Sequence, residues 1–130
     1  MYNFVTLYLI SIPIFILLDL VWLGFVAKDF YQSRLGHLLG DVLWAPAIVF
    51  YGVFLLGLTY FATYPALETG IFRAALLGAL FGFFTYATYD LTNQATLKAW
   101  PLSVTVVDIL WGAFLGGAVA TVTTLIHRLF

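Results

Sequence analysis

Long apolar stretches alternate with short polar connections along the whole chain. Four stretches meet the requirement of about 20 mainly apolar residues for a membrane-spanning helix. They are residues 3–27, 42–64, 71–93 and 102–126. In the connection "TYPALETG", Pro65 and Gly70 are expected to break the helix. The pattern predicts an all-α integral membrane protein with four transmembrane helices in a single domain, residues 1–130.

The first connection, "KDFYQSRLGHLLGD", is the longest and has a pattern of its own. Tyr31, Leu35 and Leu38 follow at i, i+4 and i+7, which predicts a short amphipathic helix lying in the membrane interface between helices 1 and 2. This segment is either a spacer or a lid over a site beneath it. Asp41, just before the second helix, is interpreted as its N-cap.

Composition supports the membrane assignment and excludes several functions. Hydrophobic residues make up 64% of the chain and charged residues 8%, whereas ordinary soluble domains carry about 25% charge. A net charge of -1 without a basic cluster argues against a nucleic-acid partner and against a polybasic lipid-binding patch. Cysteine is absent, so disulfide and thiolate chemistry are excluded. The first apolar run lacks the features of a signal peptide and is expected to be retained.

Three acidic residues, Asp19, Asp90 and Asp108, lie inside the predicted spans. A charged side chain at the centre of a membrane helix costs about 2.5–3.5 kcal/mol on insertion scales. Because successive helices run in opposite directions, all three acids are expected towards the same side of the membrane. We call this side B and define it as the side that carries Lys28 and Lys98. The three carboxyl groups should therefore face one another across the bundle.

Two rows of mostly small residues at i+4 spacing connect these acids to helix packing. The rows are Ala74, Gly78, Gly82, Tyr86 and Asp90 in the third helix, and Asp108, Gly112, Gly116, Ala120 and Thr124 in the fourth. Small residues allow helices in lipid to approach closely. Asp90 and Asp108 are therefore predicted on the packing face, and Asn93, at i+3 from Asp90, points in nearly the same direction.

Trp22 and Trp111 each follow an intramembrane acid by three residues. Each indole N–H could donate a hydrogen bond to its neighbouring carboxylate, or the ring could wall an apolar pocket. The alternative is an interfacial aromatic belt, where tryptophan is enriched. The belt is the preferred interpretation for Trp44 and Trp100.

These residues form one candidate site, but they do not name a reaction. Clustered carboxylates in a low dielectric repel, so at least one is expected to hold a proton near neutral pH and to serve as a general acid, general base or proton carrier. A magnesium or calcium ion is the alternative, although no metal site is predicted because no spacing is diagnostic of one. Cofactors stay unassigned. The candidates are Asp19, Asp90 and Asp108 as catalytic residues, and Trp22, Tyr89, Asn93 and Trp111 as ligand-binding residues.

Three sequence blocks carry a resemblance to a known family. "DLVWLG" at 19–24, "YDLTNQATLKAWP" at 89–101 and "VDILWG" at 107–112 resemble a family of small four-helix bacterial membrane proteins classified as a domain of unknown function. The resemblance covers essentially the whole chain. It implies a location in the bacterial cytoplasmic membrane and carries over no catalytic role.

The site supports three functional interpretations. The first is a protein that binds or modifies a lipid or another apolar small molecule, with the polar end of that molecule at the side B acids. The second is a structural or assembly subunit whose acids serve helix packing. The third is a small proton-coupled transporter, acting as a homodimer and similar in outline to the small multidrug resistance family. The first is preferred because acids and aromatic residues occur together at side B, and the residues do not decide between binding and catalysis.

Overall fold

A computed structural model describes residues 2–130, which form helices and contain no strand. Four helices are long and apolar enough to cross a membrane. These spans are Tyr2–Val26, Trp44–Thr69, Ile71–Thr96 and Leu102–His127. The predicted fold class, an all-α membrane protein with four spanning helices, is confirmed.

Two of the spans are divided by π-helical turns. In chain order the elements are α1 (Tyr2–Val21), a π-helical turn (Trp22–Val26), α2 (Lys28–Leu35), α3 (Trp44–Leu58), a second π-helical turn (Thr59–Thr63), α4 (Tyr64–Thr69), α5 (Ile71–Thr96) and α6 (Leu102–His127). The short helix predicted in the first connection is α2. A π-helical turn contains one more residue than an α-helical turn and often occurs at functional sites.

Two predictions about helix ends were wrong. Pro65 does not break the second span, which continues to Thr69. It directly follows the π-helical turn Thr59–Thr63 and Tyr64, and such a local change of hydrogen-bond register lets a spanning helix accommodate a proline. The chain breaks only at Gly70, whose φ of 107° suits a residue without Cβ. Asp41 does not cap the second span, since α3 begins at Trp44 with Leu43 in the N-cap position and no side-chain cap.

Helices α5 and α6 form the closest helix pair, along the two predicted rows of small residues. Ala74, Gly78, Gly82 and Asp90 are buried on α5. A Cβ added to Gly82 would overlap the carbonyl oxygen of Gly112, and one added to Gly78 would overlap that of Gly116. Both glycines therefore let the two backbones touch, and the predicted packing stripe is confirmed.

The second span diverges from the third towards side B. Its backbone approaches α5 chiefly through the π-helical turn Thr59–Thr63, far from side B. Nearer side B, Ile48, Val49 and Val53 are each more than 60% exposed. Phe50 of the second span and Thr85 and Tyr89 of the third line a space between the two spans, so a gap separates them at the end of the bundle where the acids lie.

Candidate functional site: a carboxylate and aromatic cavity

A cavity of about 560 Å³ lies at the side B end of the bundle, within the usual size range of small-molecule pockets. Its wall includes two of the predicted acids and residues of all four spans together with α2. The lining residues are Asp19, Trp22, Leu23, Lys28, Tyr31, Gln32, Leu35, Leu39, Val42, Phe50, Tyr51, Tyr86, Tyr89, Trp100, Asp108 and Trp111. Half of these side chains are aromatic, so the wall is largely apolar apart from its carboxylates.

Asp19 is held by a tyrosine from the second span. The carboxylate is 7% exposed, and its Oδ2 accepts a hydrogen bond of 2.7 Å from the Tyr51 hydroxyl. Packing between α1 and α3 sets this geometry, because the Phe15 and Tyr51 rings meet edge to face with centroids 4.9 Å apart. Tyr51 thereby satisfies one oxygen of an acid that would otherwise be costly to bury.

Asp108 is linked through Tyr31 to the first span. The Tyr31 hydroxyl donates to Asp108 Oδ1 and accepts a hydrogen bond of 3.1 Å from Trp22 Nε1. This chain of hydrogen bonds places α2 across the cavity. Burial raises the pKa of the Tyr31 phenol well above its ordinary value, and the hydrogen bond to Asp108 raises it further. The phenol is therefore protonated, and a donor, at neutral pH.

Trp22 and Trp111 stack on each other across the bundle. Their ring centroids are 4.4 Å apart and their planes differ by 6°. Neither indole donates to the acid three residues earlier, which was one of the interpretations left open: Trp22 donates to Tyr31, and among residues 2–130 Trp111 Nε1 has no hydrogen-bond partner. The Trp111 indole instead lies near Asp19, on the first span. Both rings thus wall the cavity, which was the other interpretation of the spacing.

Asp90 is the most unusual of the three acids. It is fully buried, and among residues 2–130 neither of its carboxyl oxygens has a hydrogen-bond partner. Its carboxyl group neighbours that of Asp108. The Tyr86 side chain lines the cavity together with Asp19 and Asp108 and is near enough to all three acids to interact with their charges. Its ring occupies space left by Gly112, where a Cβ would collide with it. The three acids thus lie at the same end of the bundle, side B.

The two other predicted ligand-binding residues occupy different positions. Tyr89 lines the cavity although it is 59% exposed, and its ring packs edge to face on Trp100 with centroids 6.3 Å apart. Asn93 is half-buried on the last turns of α5 and does not line this cavity. Trp100 also lines the cavity, and its Nε1 donates to the Thr105 hydroxyl at 3.1 Å.

A side pocket of about 300 Å³ continues from the cavity into the gap between the second and third spans. It is lined by Phe50, Thr85, Tyr86, Tyr89 and Asp108, and four of these residues also line the main cavity. Phe50 and Tyr89 are exposed on the outside of the bundle. Asp108 can therefore be reached from the flank of the bundle, which in a membrane is surrounded by lipid.

No group of three or more His, Cys, Asp or Glu side chains is arranged to hold a metal ion in the described part of the chain, residues 2–130. Asp90 and Asp108 neighbour each other, but they do not form a coordination shell together with Asp19. Their available chemistry is hydrogen bonding, charge attraction and proton transfer.

Residues 4–125 match the family described as Predicted membrane protein (DUF2177). The chain belongs to this family. No curated protein and no solved structure matches it. The family description agrees with the four apolar spans, and the chain is accordingly a multi-pass membrane protein.

Sequence reasoning missed the tyrosines that complete the site. Tyr51 and Tyr31 supply the hydrogen bonds to Asp19 and Asp108, and Tyr86 lines the same cavity near the acids. One signal was available for Tyr86, which lies four residues before Asp90 on the packing face. Tyr31 and Tyr51 come from elements distant in sequence from the acids they contact, so spacing alone could not pair them.

Proposed function

We propose that this protein binds a lipid or another apolar small molecule, with the polar end of that molecule in the side B cavity and its apolar part in the side pocket. The observation that carries the proposal is the continuity of the two spaces. The inner one holds Asp19 and Asp108 among aromatic rings, and the outer one reaches the lipid-facing flank past Phe50 and Tyr89. An amphipathic molecule has this same division into a polar and an apolar part.

The proposed location is the bacterial cytoplasmic membrane, which follows from the resemblance of the three sequence blocks. Lipids of that membrane would enter the side pocket without leaving the bilayer, because the second span diverges from the third at the depth of the acids. Binding energy would come from apolar contact in the side pocket and from hydrogen bonds to carboxylates that a low dielectric strengthens.

A second candidate function is acid–base chemistry on the bound molecule. It is favoured by the neighbouring carboxyl groups of Asp90 and Asp108, the first of which is buried without a hydrogen-bond partner among residues 2–130. Two carboxyl groups that share a site can share a proton and pass it on. If this candidate is correct, the Asp90→Asn variant should still retain the ligand but should no longer change it chemically.

Lipid mass spectrometry of the purified protein tests the binding proposal. Wild type would be compared with Asp19→Asn and Asp108→Asn, and with Asp41→Asn as the matched control, because Asp41 is exposed and does not line the cavity. We expect one lipid class to be retained by wild type and by the control and to be lost from both cavity variants.

Circular dichroism and thermal unfolding in detergent would establish that all four proteins are folded. If the folded variants retained the same lipids in the same amounts as wild type, the binding proposal would be wrong. Loss of stability in Asp19→Asn and Asp108→Asn, with unchanged lipid in the folded fraction, would favour the interpretation that the acids serve helix association.

A further inference from the structure

The charges that line the side B cavity are mainly negative. Asp19 and Asp108 face into it, and Asp90 lies directly beside Asp108. Among the described residues that line the cavity, Lys28 is the only one with a basic side chain. It is exposed at the start of α2 and therefore lies at the rim of the cavity. An anionic group inside the cavity would meet at least two carboxylates and no buried cation to balance them.

Four hydrogen-bond donors of the cavity wall are engaged with the protein itself. The Tyr51 and Tyr31 hydroxyls donate to Asp19 and Asp108. The indole N–H groups of Trp22 and Trp100 donate to Tyr31 and Thr105. Trp111 Nε1 is the one indole donor left without a partner among residues 2–130.

The acceptors, in contrast, have capacity to spare. A carboxylate offers about four lone-pair sites, and the recorded hydrogen bonds use only Oδ2 of Asp19 and Oδ1 of Asp108. Asp19 is 7% exposed, and within the described residues no hydrogen bond reaches its Oδ1. These carboxylates can therefore accept further hydrogen bonds from a ligand that supplies donors.

Aromatic side chains line the same cavity as these oxygens. They include the stacked pair of Trp22 and Trp111, together with Tyr51, Tyr86 and Tyr89. A cation over an aromatic face is attracted by the ring quadrupole, and aromatic cages recognise alkylated ammonium groups in this way. Carboxylates and aromatic rings together favour the same ligand chemistry, an organic cation.

We propose that the polar end of the ligand is an organic ammonium group, held by Asp19 and Asp108 and enclosed by the aromatic wall. This inference rests on the proposed function and narrows it to one chemical class. A zwitterionic phospholipid fits both ends of the cavity, since its ammonium group would meet the carboxylates and its phosphate would meet Lys28 at the rim. A free amine with an apolar tail carries the same ammonium chemistry.

The experiment is native mass spectrometry of wild-type protein released from nanodiscs that contain equal amounts of phosphatidylethanolamine, phosphatidylcholine and phosphatidylglycerol, all with the same acyl chains. We expect the two ammonium lipids together to be retained about tenfold more often than the anionic lipid. Preferential retention of phosphatidylglycerol would overturn the inference and leave the proposed lipid binding intact. Retention of no lipid would contradict both.

A second arm identifies the source of the ammonium group. Dodecylamine, dodecyltrimethylammonium and dodecyl sulfate would each be added, at low mole fraction, to protein in a neutral detergent, and the tryptophan fluorescence would be followed. If a single-chain cation is sufficient for binding, we expect saturable fluorescence changes with both cations and no such change with dodecyl sulfate. A saturable response to the sulfate alone would overturn the inference.

Variants then connect the selectivity to the acids. Asp19→Asn and Asp108→Asn each keep an acceptor oxygen for the tyrosine partner but remove the charge, so we expect the preference for ammonium lipids to fall about tenfold. Asp41→Asn, which makes the same change on an exposed acid, should leave the preference as in wild type. Unchanged selectivity in both cavity variants would also overturn the inference. If either variant fails to fold, the lipid competition on wild-type protein still tests whether ammonium lipids are preferred.

Discussion

Tyr31 is the residue on which the geometry of the cavity depends most directly. Its hydroxyl joins Trp22 of the first span to Asp108 of the fourth, and its own helix, α2, lies outside the spans. One oxygen atom therefore connects three elements. Leu35, the buried residue of α2, lies four positions later and so on the same face.

The variant Tyr31→Phe should destabilise the protein by about 1–3 kcal/mol, because it leaves the Asp108 carboxylate and the Trp22 N–H without their shared partner in a partly buried place. Thermal unfolding in detergent measures the effect. Tyr60→Phe is the matched control, since Tyr60 is 63% exposed on the flank of the second span. Equal unfolding temperatures of wild type and Tyr31→Phe would show that the hydroxyl does not stabilise the fold.

The raised pKa of Tyr31 gives a prediction in alkaline solution. The folded protein keeps the phenol proton at pH values where an unfolded chain, with the ordinary pKa of 10.0, has lost it. The resulting stabilisation is fully present below that value and is lost as the pH rises through the folded-state pKa. Between about pH 9 and pH 11, wild type should therefore lose stability more steeply than Tyr31→Phe. Parallel losses in the two proteins would contradict the assignment.

At the scale of single residues, the acids of the site could be predicted from the sequence, but the residues that contact them could not. Asp19 and Asp108 were placed correctly near side B because a charge inside an apolar run is visible in a single sequence, and helical spacing gives its direction. Their partners could not be predicted, since Tyr51 and Tyr31 reach them by tertiary packing. The stacking of Trp22 on Trp111 was missed for the same reason.

At the scale of elements, the pair of α5 and α6 provides the rigid wall of the cavity. Their rows of small residues bring the backbones into contact at Gly78, Gly82, Gly112 and Gly116, and Asp90 and Asp108 lie at the side B ends of the same rows. In lipid such contact is driven by van der Waals packing and not by the hydrophobic effect. The positions of these two acids are thus fixed by the tightest interface of the molecule.

Gly82→Ala should destabilise the bundle by about 1–3 kcal/mol through overpacking. Alanine is the better helix former by about 1 kcal/mol, but the added Cβ would overlap the backbone carbonyl of Gly112, which cannot move aside cheaply. The matched control is Gly24→Ala, where no atom lies within 4 Å of an added Cβ. Unfolding titrations in mixed detergent compare the two. A Gly82→Ala protein as stable as wild type would show that the helices can separate there without cost.

The elements themselves could be predicted well where periodicity is strong and poorly where the helix is irregular. The i+4 rows gave the α5–α6 interface correctly. The end of the second span was misplaced, because Pro65 is a helix breaker in general but is accommodated in the first turn of α4, after the π-helical turn Thr59–Thr63. Such a turn leaves no mark in hydropathy, since it changes hydrogen-bond register and not composition.

At the scale of the whole molecule, the fold places Lys28 and Lys98 at one end of the bundle and Arg73 and Arg128 at the other. Cysteine is absent from the chain, so each single cysteine substitution gives a unique label. Lys28→Cys and Lys98→Cys should react with an impermeant maleimide from the same side of the membrane, and Arg73→Cys and Arg128→Cys from the opposite side. The measurement is labelling of sealed vesicles before and after permeabilisation, and reaction of Lys28→Cys and Lys98→Cys from opposite sides would contradict the four-span topology.

The divergence of the second span from the third determines which ligand concentration governs binding to this protein. A ligand that enters past Phe50 and Tyr89 never crosses bulk water, so occupancy follows its mole fraction among the surrounding lipids. Adding ligand-free detergent micelles would then lower the occupancy of the site, because it lowers the mole fraction of the ligand. This would happen even though the total amount of ligand in the sample is unchanged. Occupancies measured at different detergent-to-protein ratios should coincide only when they are plotted against composition of the micelle or bilayer.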